Sequence, residues 1–164
     1  MVTIQQLRNF PFFNQFSESQ LKEMLPIAEV EKVKSGAIIF EEGMPAETLY
    51  FLLEGCVDLY YTIIPAYRRE DSMGSRVCTI NPGESFGISA LIKPQILTST
   101  ARAFLSSRIL KFPGDKLQAL FDQDQQLAYI WIQQLAKEAV QRLHATRLQL
   151  ASAIELASIS EVAK

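Results

Sequence analysis

The feature that most constrains the fold is a change in the spacing of apolar residues along the chain. Between residues 27 and 112, apolar and polar residues alternate in short segments such as IAEVEKV, TLYFLLEG and RVCTI, and glycines stand between most of these segments. Short alternating segments separated by turn residues are typical of antiparallel β-sheets that form a sandwich or a barrel. After Gly114, apolar residues recur every three or four positions, which predicts helices instead.

The N-terminal segment predicts short helices that need a larger body to pack on. The stretch TIQQLRNFPFFNQFSESQLKEML is interrupted at Pro11 and restarts at Ser17, a favourable N-cap residue with Gln20 at the capping-box position. The phenylalanines between residues 10 and 16 are too apolar to remain in water. We therefore expect this segment to lie against the β-structure.

A single long helix is predicted after about residue 124. Its apolar stripe is formed by Ala128, Ile132, Leu135, Ala139, Leu143, Thr146 and Leu150. A helix of about thirty residues or more extends past one small barrel, so a homodimer through this helix is expected. The alternative is that the stripe folds back onto its own barrel. The residues after Leu150 are too few for a helix-turn-helix, so DNA binding is not expected.

Composition narrows the function classes further. The 164 residues are 48% hydrophobic and 21% charged with a net charge of −2, which fits one globular domain without a basic face for nucleic acid. No apolar run reaches the length of a membrane span, and MVTIQQLRNF lacks the features of a signal peptide, so a cytoplasmic protein is expected.

Cys56 and Cys78 are expected to be buried free thiols. Arg68 to Ser75 is interpreted as an exposed hairpin loop, with a contact surface as the alternative.

The inventory of reactive side chains argues against an enzyme. Some barrels of this class are metal enzymes that draw several histidines from inward-facing strand positions, whereas this chain has one histidine, His144, on the predicted long helix. The sequence also contains no GxSxG elbow and no P-loop. We therefore expect no catalytic residues and no metal site.

The order of elements and several motifs resemble the cyclic nucleotide-binding domain family. SGAIIFEEGMPAETLYFLLEGCVDLYY is similar to the family's strand-turn-strand core, INPGESFGISALI to its phosphate-binding cassette, and LAKEAVQRLHATRLQL to the long dimerisation helix of the catabolite activator group. The resemblance implies a mainly β fold, an antiparallel jelly-roll barrel with N-terminal helices and a short plus a long C-terminal helix. It also implies three parts: residues 1–26 packed on the barrel, the barrel at 27–112 with the cassette at 83–100, and the helices at 113–164.

The cassette-like segment keeps the frame of the family but not its charges. The candidate ligand-binding residues in this frame are Phe86, Gly87, Ile88, Ser89, Ala90, Leu97, Thr98 and Ser99. The family's ribose-binding glutamate corresponds to Ile88, and its phosphate-binding arginine to Leu97, or to Ile96 if the register slips by one; Glu84 precedes the turn and does not replace the glutamate. Loss of both contacts costs about 3–6 kcal/mol, or roughly two to four decades of affinity. The resemblance therefore implies weak or absent binding of cAMP and cGMP.

Other side chains are candidates to replace the missing charge. Lys93 and Arg102 are cations close to the cassette in sequence, although Arg102 matches an outward-facing position of the family. Thr146 on the long helix matches a threonine that reads the base in the catabolite activator, and Arg147 replaces the serine that follows it. Arg147 could supply a positive charge across the dimer, with a solvated surface arginine as the alternative.

Three functions stay open from the sequence. The first is a sensor whose pocket binds a small molecule and shifts the long helices that a partner protein reads. The second is a ligand-free interaction module in which Ile88, Ile96 and Leu97 fill the former pocket. The third is a diverged relative of a transcription regulator without its DNA-binding half. We expect a standalone, homodimeric regulatory domain, with the interaction module as the alternative.

Overall fold

The computed structural model describes residues 2–62 and 74–162. The helices are α1 (Ile4–Arg8), α2 (Glu18–Met24), α3 (Gly114–Gln123) and α4 (Gln125–Val162), with 3₁₀ helices at Pro11–Gln15, Leu25–Ile27 and Ile88–Leu91. The strands are β1 (Glu29–Val33), β2 (Ile38–Phe40), β3 (Thr48–Glu54), β4 (Val57–Tyr61), β5 (Ser75–Ile80), β6 (Ser85–Phe86), β7 (Thr100–Ala103) and β8 (Ser107–Pro113). Most of the expected hairpin loop, residues 68–73, lies outside the described residues.

The strands form two four-stranded antiparallel sheets, β1-β8-β3-β6 and β2-β7-β4-β5. Side chains from both sheets meet in one core between them, as in double-sheet jelly rolls. This core contains Val33, Leu52, Val57, Leu59, Ile80, Phe86, Ala101, Ala103 and Ile109. The predicted mainly β fold, an antiparallel jelly roll with helices before and after it, is confirmed.

Strand β3 contributes side chains to two cores, the one between the sheets and a second one between its sheet and the helices. Leu49, Phe51 and Leu53 face the helices, whereas Tyr50 and Leu52 face the space between the sheets. Successive side chains of a strand point to opposite faces, so one strand contributes to both cores. The sheet that contains β3 is therefore covered by helices on one side and by the other sheet on the opposite side.

The phenylalanine-rich N-terminal segment packs in the helical core, as predicted. Phe12, Phe13 and Phe16 are almost fully buried and surround Trp131 of α4, whose side chain is 0% exposed. Several of these rings meet edge to face, an arrangement that adds to the stabilisation from burial alone. The capping box is also confirmed, because Ser17 Oγ accepts from the Gln20 N–H at 3.2 Å and Gln20 Oε1 accepts from the Ser17 N–H at 3.0 Å.

Helix α4 is the predicted long helix, with 38 residues. Its first turn is capped by Asp124, whose Oδ1 accepts from the Leu127 N–H at 2.9 Å. The prediction that the apolar stripe from Ala128 to Leu150 forms one continuous face is wrong, because Leu135 is buried on the barrel. The side facing the barrel is formed by Leu127, Trp131 and Leu135, whereas Ala128 is only partly buried and Ile132, Ala139, Leu143, Thr146 and Leu150 are exposed. The helix thus has two apolar faces, and its apolar contacts with its own barrel are made by its first turns.

Both cysteines are free thiols, but the expectation that they are buried is wrong. Cys56 lies in the turn between β3 and β4 and Cys78 lies in β5, and each is partly exposed. Partial burial nevertheless raises the pKa of both thiols, because it disfavours the charged thiolate. Of the helices in the described part of the chain, none combines the length and the apolar character that a membrane crossing requires.

Candidate functional site

The turn of the cassette lies at Gly87, directly after the short strand β6. Gly87 has φ +72°, a left-handed conformation that favours glycine, and it precedes the 3₁₀ helix Ile88–Leu91. A Cβ atom at this position would lie 2.8 Å from Cδ2 of Tyr50 and 2.9 Å from the carbonyl oxygen of Thr48. The sharp turn of the family's cassette is therefore present, and β3 packs tightly against it.

Three aromatic rings fill the space between the sheets next to this turn. The ring of Phe86 stacks on that of Tyr50 with centroids 5.0 Å apart and an interplanar angle of 19°. Phe40 lies 5.5 Å from Tyr50 and 6.0 Å from Phe86. Burial raises the pKa of the Tyr50 phenol above its ordinary value, so this group stays protonated at neutral pH. The inner wall of the cassette is thus aromatic and uncharged.

Leu97, at the position of the family's arginine, is held in a small apolar cluster. Its side chain is 6% exposed and packs with Ala46 and Ala90, against which Phe40 also lies. Its backbone is fixed on both sides, since the Leu97 N–H donates to the Met44 carbonyl at 2.9 Å and the Leu97 carbonyl accepts from the Gly43 N–H at 2.8 Å. A charged ligand group placed here would meet methyl and methylene groups rather than a cation.

A cavity of about 350 Å³ adjoins Leu97. Apolar side chains from β2 and the turn before β3 form most of its wall, together with Thr48 and Tyr50. The charged members of this wall, among the described residues, are Glu41 and Glu47. An anionic ligand in this cavity would therefore be repelled by two carboxylates.

The other residues of the frame do not converge on Leu97 as expected. Ile88 packs on the helical core together with Leu91, because residues three apart lie above each other in a 3₁₀ helix. Ile96 is 41% exposed and bridges to Pro45. The expectation that Ile88 and Ile96 fill the former pocket is therefore wrong, and of these three aliphatic residues only Leu97 does so.

The remaining residues of the frame are divided between surface and interior. Ala90 is buried against Leu97, and Ser99 is also buried, with 6% exposure. Ser89 is partly exposed and Thr98 is exposed. The two hydroxyls that match the phosphate contacts of the family, those of Thr98 and Ser99, thus differ in their access to solvent.

The candidate replacement cations lie away from the cavity beside Leu97. Lys93 and Arg147 are exposed, and neither belongs to the cavity wall. Arg102 in β7 directs its Nε to the carbonyl oxygen of Gly36, at 2.9 Å. Within the described chain, a cation does not take the place of the family's arginine beside Leu97.

A larger groove, of about 870 Å³, lies between α4 and the segment of β5 and its following turn. Thr146 lines this groove together with Arg142 and Glu138, whereas Arg147 does not line it. The cassette residues Phe86–Ala90 and Leu97–Ser99 are also absent from its wall. Gly83 and Glu84, at the start of the cassette segment, line the groove, but the structure does not bring Thr146 and the candidate ligand-binding residues of the cassette into one cavity.

Sequence reasoning missed a polar cluster in which α4 meets β6. Glu138 and Arg142 contact Ser85, the residue before Phe86. The available signal was the spacing of Leu127, Trp131 and Leu135, which continues at 138 and 142 along the same face of the helix. In the described part of the chain, His, Cys, Asp and Glu side chains do not gather in any group of three or more that could hold a metal ion.

Comparison with known proteins matches this architecture. The model of the cyclic nucleotide-binding domain family matches residues 30–124. The crystal structure of a candidate cyclic nucleotide-binding protein from Geobacter metallireducens is 34% identical, covers 88% of this chain and 100% of its own, and superposes with a TM-score of 0.76.

Two curated relatives are longer than this chain. A candidate potassium channel protein of Rhodopseudomonas palustris is 24% identical over 118 residues, which are 72% of this chain and 27% of the relative. A Pycsar effector protein of Burkholderia cepacia is 29% identical over 122 residues, 74% of this chain and 35% of the relative. The chain thus spans about a quarter to a third of the length of these relatives. Because the family model matches more than half of its residues, the chain belongs to the cyclic nucleotide-binding domain family.

Proposed function

We propose that this domain is a homodimeric regulatory module that binds cAMP and cGMP weakly or not at all in the manner usual for its family. The observation that carries the proposal is the burial of Leu97 among Ala46, Ala90 and Phe40. A phosphate placed there would lose water without gaining a charged partner, which is costly in an apolar site.

The surrounding charges support the same conclusion. Glu41 and Glu47 in the wall of the adjoining cavity disfavour an anion, and Ile88 packs on the helical core where the family has a ribose-binding glutamate. Loss of the two charged contacts alone amounts to about 3–6 kcal/mol, or roughly two to four decades of affinity. A site with a dissociation constant of about 1 μM would thus weaken to about 0.1–10 mM.

The outer face of α4 supports the homodimer. Leu143 is 50% exposed and Leu150 is 59% exposed, and the small residues Ala139 and Thr146 alternate with them at the a and d spacing of a two-stranded coiled coil. Exposed apolar residues in such a row are expected to be covered by an identical helix. The paired helices would transmit the state of the barrel to a partner protein.

Ligand binding is tested by the melting temperature with and without millimolar cAMP or cGMP. A ligand at a hundred times its dissociation constant adds about 2.7 kcal/mol, which for this chain length is a rise of roughly 5–10 °C. We expect no rise of this size with either nucleotide. A rise of several degrees would show that the cassette binds despite Leu97 and Ile88.

A gain-of-function variant tests whether Leu97 is the cause. Leu97→Arg restores the cation, and Leu97→Met is a control of similar volume. We expect Leu97→Arg to bind cAMP about ten- to a hundredfold more tightly than Leu97→Met by isothermal titration calorimetry, because one charged hydrogen-bonding partner returns. Circular dichroism checks that both variants fold. Equal affinity in two folded variants would contradict the assigned role of Leu97.

The dimer is tested by sedimentation velocity. We expect a dimer for the wild type and a monomer for Leu143→Glu/Leu150→Glu, since charges in the seam would be buried unpaired. Leu148→Glu is the control, because Leu148 is 57% exposed but lies off the seam. A monomeric wild type, or equal dissociation of both variants, would contradict the proposed seam.

The groove beside α4 favours a second candidate function, the sensing of a small molecule other than a standard cyclic nucleotide. Its volume of about 870 Å³ suits a ligand of nucleotide size, and Gln141 and Lys137 offer an amide and a cation in its wall, away from the proposed seam. Thermal-shift screening of a metabolite panel tests this candidate, with Lys137→Ala as the control variant. A ligand that stabilises the wild type but not Lys137→Ala would place binding in the groove rather than in the cassette.

A further inference from the structure

Strand β6 is the edge of the sheet β1-β8-β3-β6 and pairs only with β3. A sheet edge carries backbone groups that face away from the neighbouring strand and need other partners when they are buried. Ser85 in β6 is 0% exposed, so water does not satisfy its polar groups. Partners for Ser85 must come from another element of the fold.

Helix α4 supplies these partners. The Glu138 carboxylate accepts from the Ser85 backbone N–H, with 3.1 Å between N and Oε2, and it also accepts from the Ser85 hydroxyl. Arg142, one turn further along, donates to the Ser85 carbonyl oxygen and lies 3.5 Å from Glu138 Oε2. The N–H, the hydroxyl and the carbonyl of one residue are thus all bound by two side chains of α4.

These contacts differ from an ordinary surface ion pair. The side chains of Glu138 and Arg142 are 17% and 25% exposed, whereas the surface pair of Glu18 and Lys22 in α2 is 67% and 64% exposed. Exposed pairs with that spacing contribute little, but partly buried, charge-assisted hydrogen bonds are stronger and fix geometry. Removal of either charged partner would leave the other one desolvated and unpaired.

The position of the contacts links the helix to the cassette. Ser85 is followed directly by Phe86, which stacks on Tyr50, and by the turn at Gly87. Towards its N-terminus, α4 is anchored by Trp131 in the helical core. Beyond Arg142, the residues of α4 from 143 to 159 are exposed and thus have no contact of this kind with the barrel.

We propose that Ser85, Glu138 and Arg142 form a helix clamp that fixes α4 to the cassette strand without a ligand. The clamp sets the direction in which residues 143–162 leave the barrel, and it thereby regulates pairing of the outer face with a second copy. This part of the inference rests on the proposed homodimer. The clamp itself is a property of one chain.

The experiment is hydrogen–deuterium exchange of the full chain, wild type against Glu138→Ala. Glu155→Ala is the matched control, because Glu155 lies on the exposed part of the same helix. We expect Glu138→Ala to raise exchange about ten- to a hundredfold in residues 81–91 and 136–146, which corresponds to loss of a charged hydrogen bond. Residues 127–135 are expected to keep their protection, and Glu155→Ala is expected to match the wild type.

A second variant keeps the test decisive if Glu138→Ala unfolds. Ser85→Ala removes only the hydroxyl and is expected to raise exchange in the same two segments by about a tenfold factor. If either variant is folded and exchanges at the wild-type rate in residues 81–91 and 136–146, the clamp is overturned. Faster exchange along the whole of α4, including residues 127–135, would also overturn it, because the effect would then be general destabilisation.

Sedimentation separates the clamp from the proposed function. We expect Glu138→Ala to weaken the dimer at least about tenfold relative to Glu155→Ala, although the seam residues are unchanged. A monomeric wild type whose exchange still responds to Glu138→Ala would refute the homodimer and retain the clamp. A dimer of unchanged affinity with raised exchange would refute the regulation of pairing by the clamp.

Discussion

Gly87 offers a direct test of why the cassette turn has been kept. Replacement by alanine places a Cβ 2.8 Å from Cδ2 of Tyr50 and 2.9 Å from the carbonyl oxygen of Thr48, at a residue with φ +72°. Gly43 is a matched control, because it has φ +85° and no atom within 4 Å of its added Cβ. Both variants bear the left-handed cost of about 1–2 kcal/mol. Gly87→Ala must in addition displace a ring and a backbone carbonyl, which costs about 1–3 kcal/mol more.

We therefore expect unfolding free energies lowered by about 1–2 kcal/mol for Gly43→Ala and about 2–5 kcal/mol for Gly87→Ala. Urea titration followed by circular dichroism measures both values, and equal m-values ensure that the same transition is compared. Equal losses in the two variants would refute the reasoning, because the approach of Tyr50 and Thr48 would then cost nothing. Glycine at position 87 would in that case need a ligand, rather than the packing of β3, to explain it.

Three further predictions concern the helical core, its acid stability and the thiols. Trp131→Ala should lower the free energy of unfolding by about 3–5 kcal/mol in urea titration, because its 0% exposed ring contacts several phenylalanines, and a loss below about 1 kcal/mol would contradict this packing. The Leu127 N–H and the Gln20 side chain hold the pKa of Asp124 below its ordinary value of 3.8. The contribution of the Asp124 carboxylate to folding stability is therefore present above pH 3.8 and is lost as the pH falls through the lowered pKa. In Asp124→Asn, the urea midpoint should fall less steeply with decreasing pH in this range than in the wild type. Burial raises the pKa of Cys78, so iodoacetamide at pH 8 should modify it more slowly in the native protein than in urea, and equal rates would contradict its shielding.

The fold could be predicted because its signals are local and repeated. Alternating residues predicted the strands, and β3 shows why this works, since its side chains from Leu49 to Leu53 alternate between two cores. The capping box at Ser17 and Gln20 and the start of the long helix near Asp124 are fixed by neighbouring residues alone. Such features need no knowledge of the tertiary arrangement.

The interior of the candidate site could be predicted only in part. A motif match identified Ile88 and Leu97 as the aliphatic residues at the family's two charged positions. It did not reveal that Ile88 faces the helical core with Leu91, because that depends on the rotation of a one-turn 3₁₀ helix after a left-handed glycine. The two carboxylates beside Leu97 belong to the strand-turn-strand motif, and the sequence does not show that this motif folds against the cassette.

The faces of α4 show why apolar periodicity alone misplaces a long helix. A search for apolar residues joins Leu135 to Leu143 and Leu150 in one stripe, although Leu135 is 4% exposed and Leu150 is 59% exposed. The face that touches the barrel instead continues through Glu138 and Arg142, where the partner is a polar sheet edge rather than a hydrophobic core. A helix that leaves a core and follows a sheet edge must exchange apolar residues for polar ones on the same face, since only polar groups satisfy that edge. The change from apolar to charged residues along one face therefore marks the point where the helix leaves the hydrophobic core and is held by the cassette strand instead.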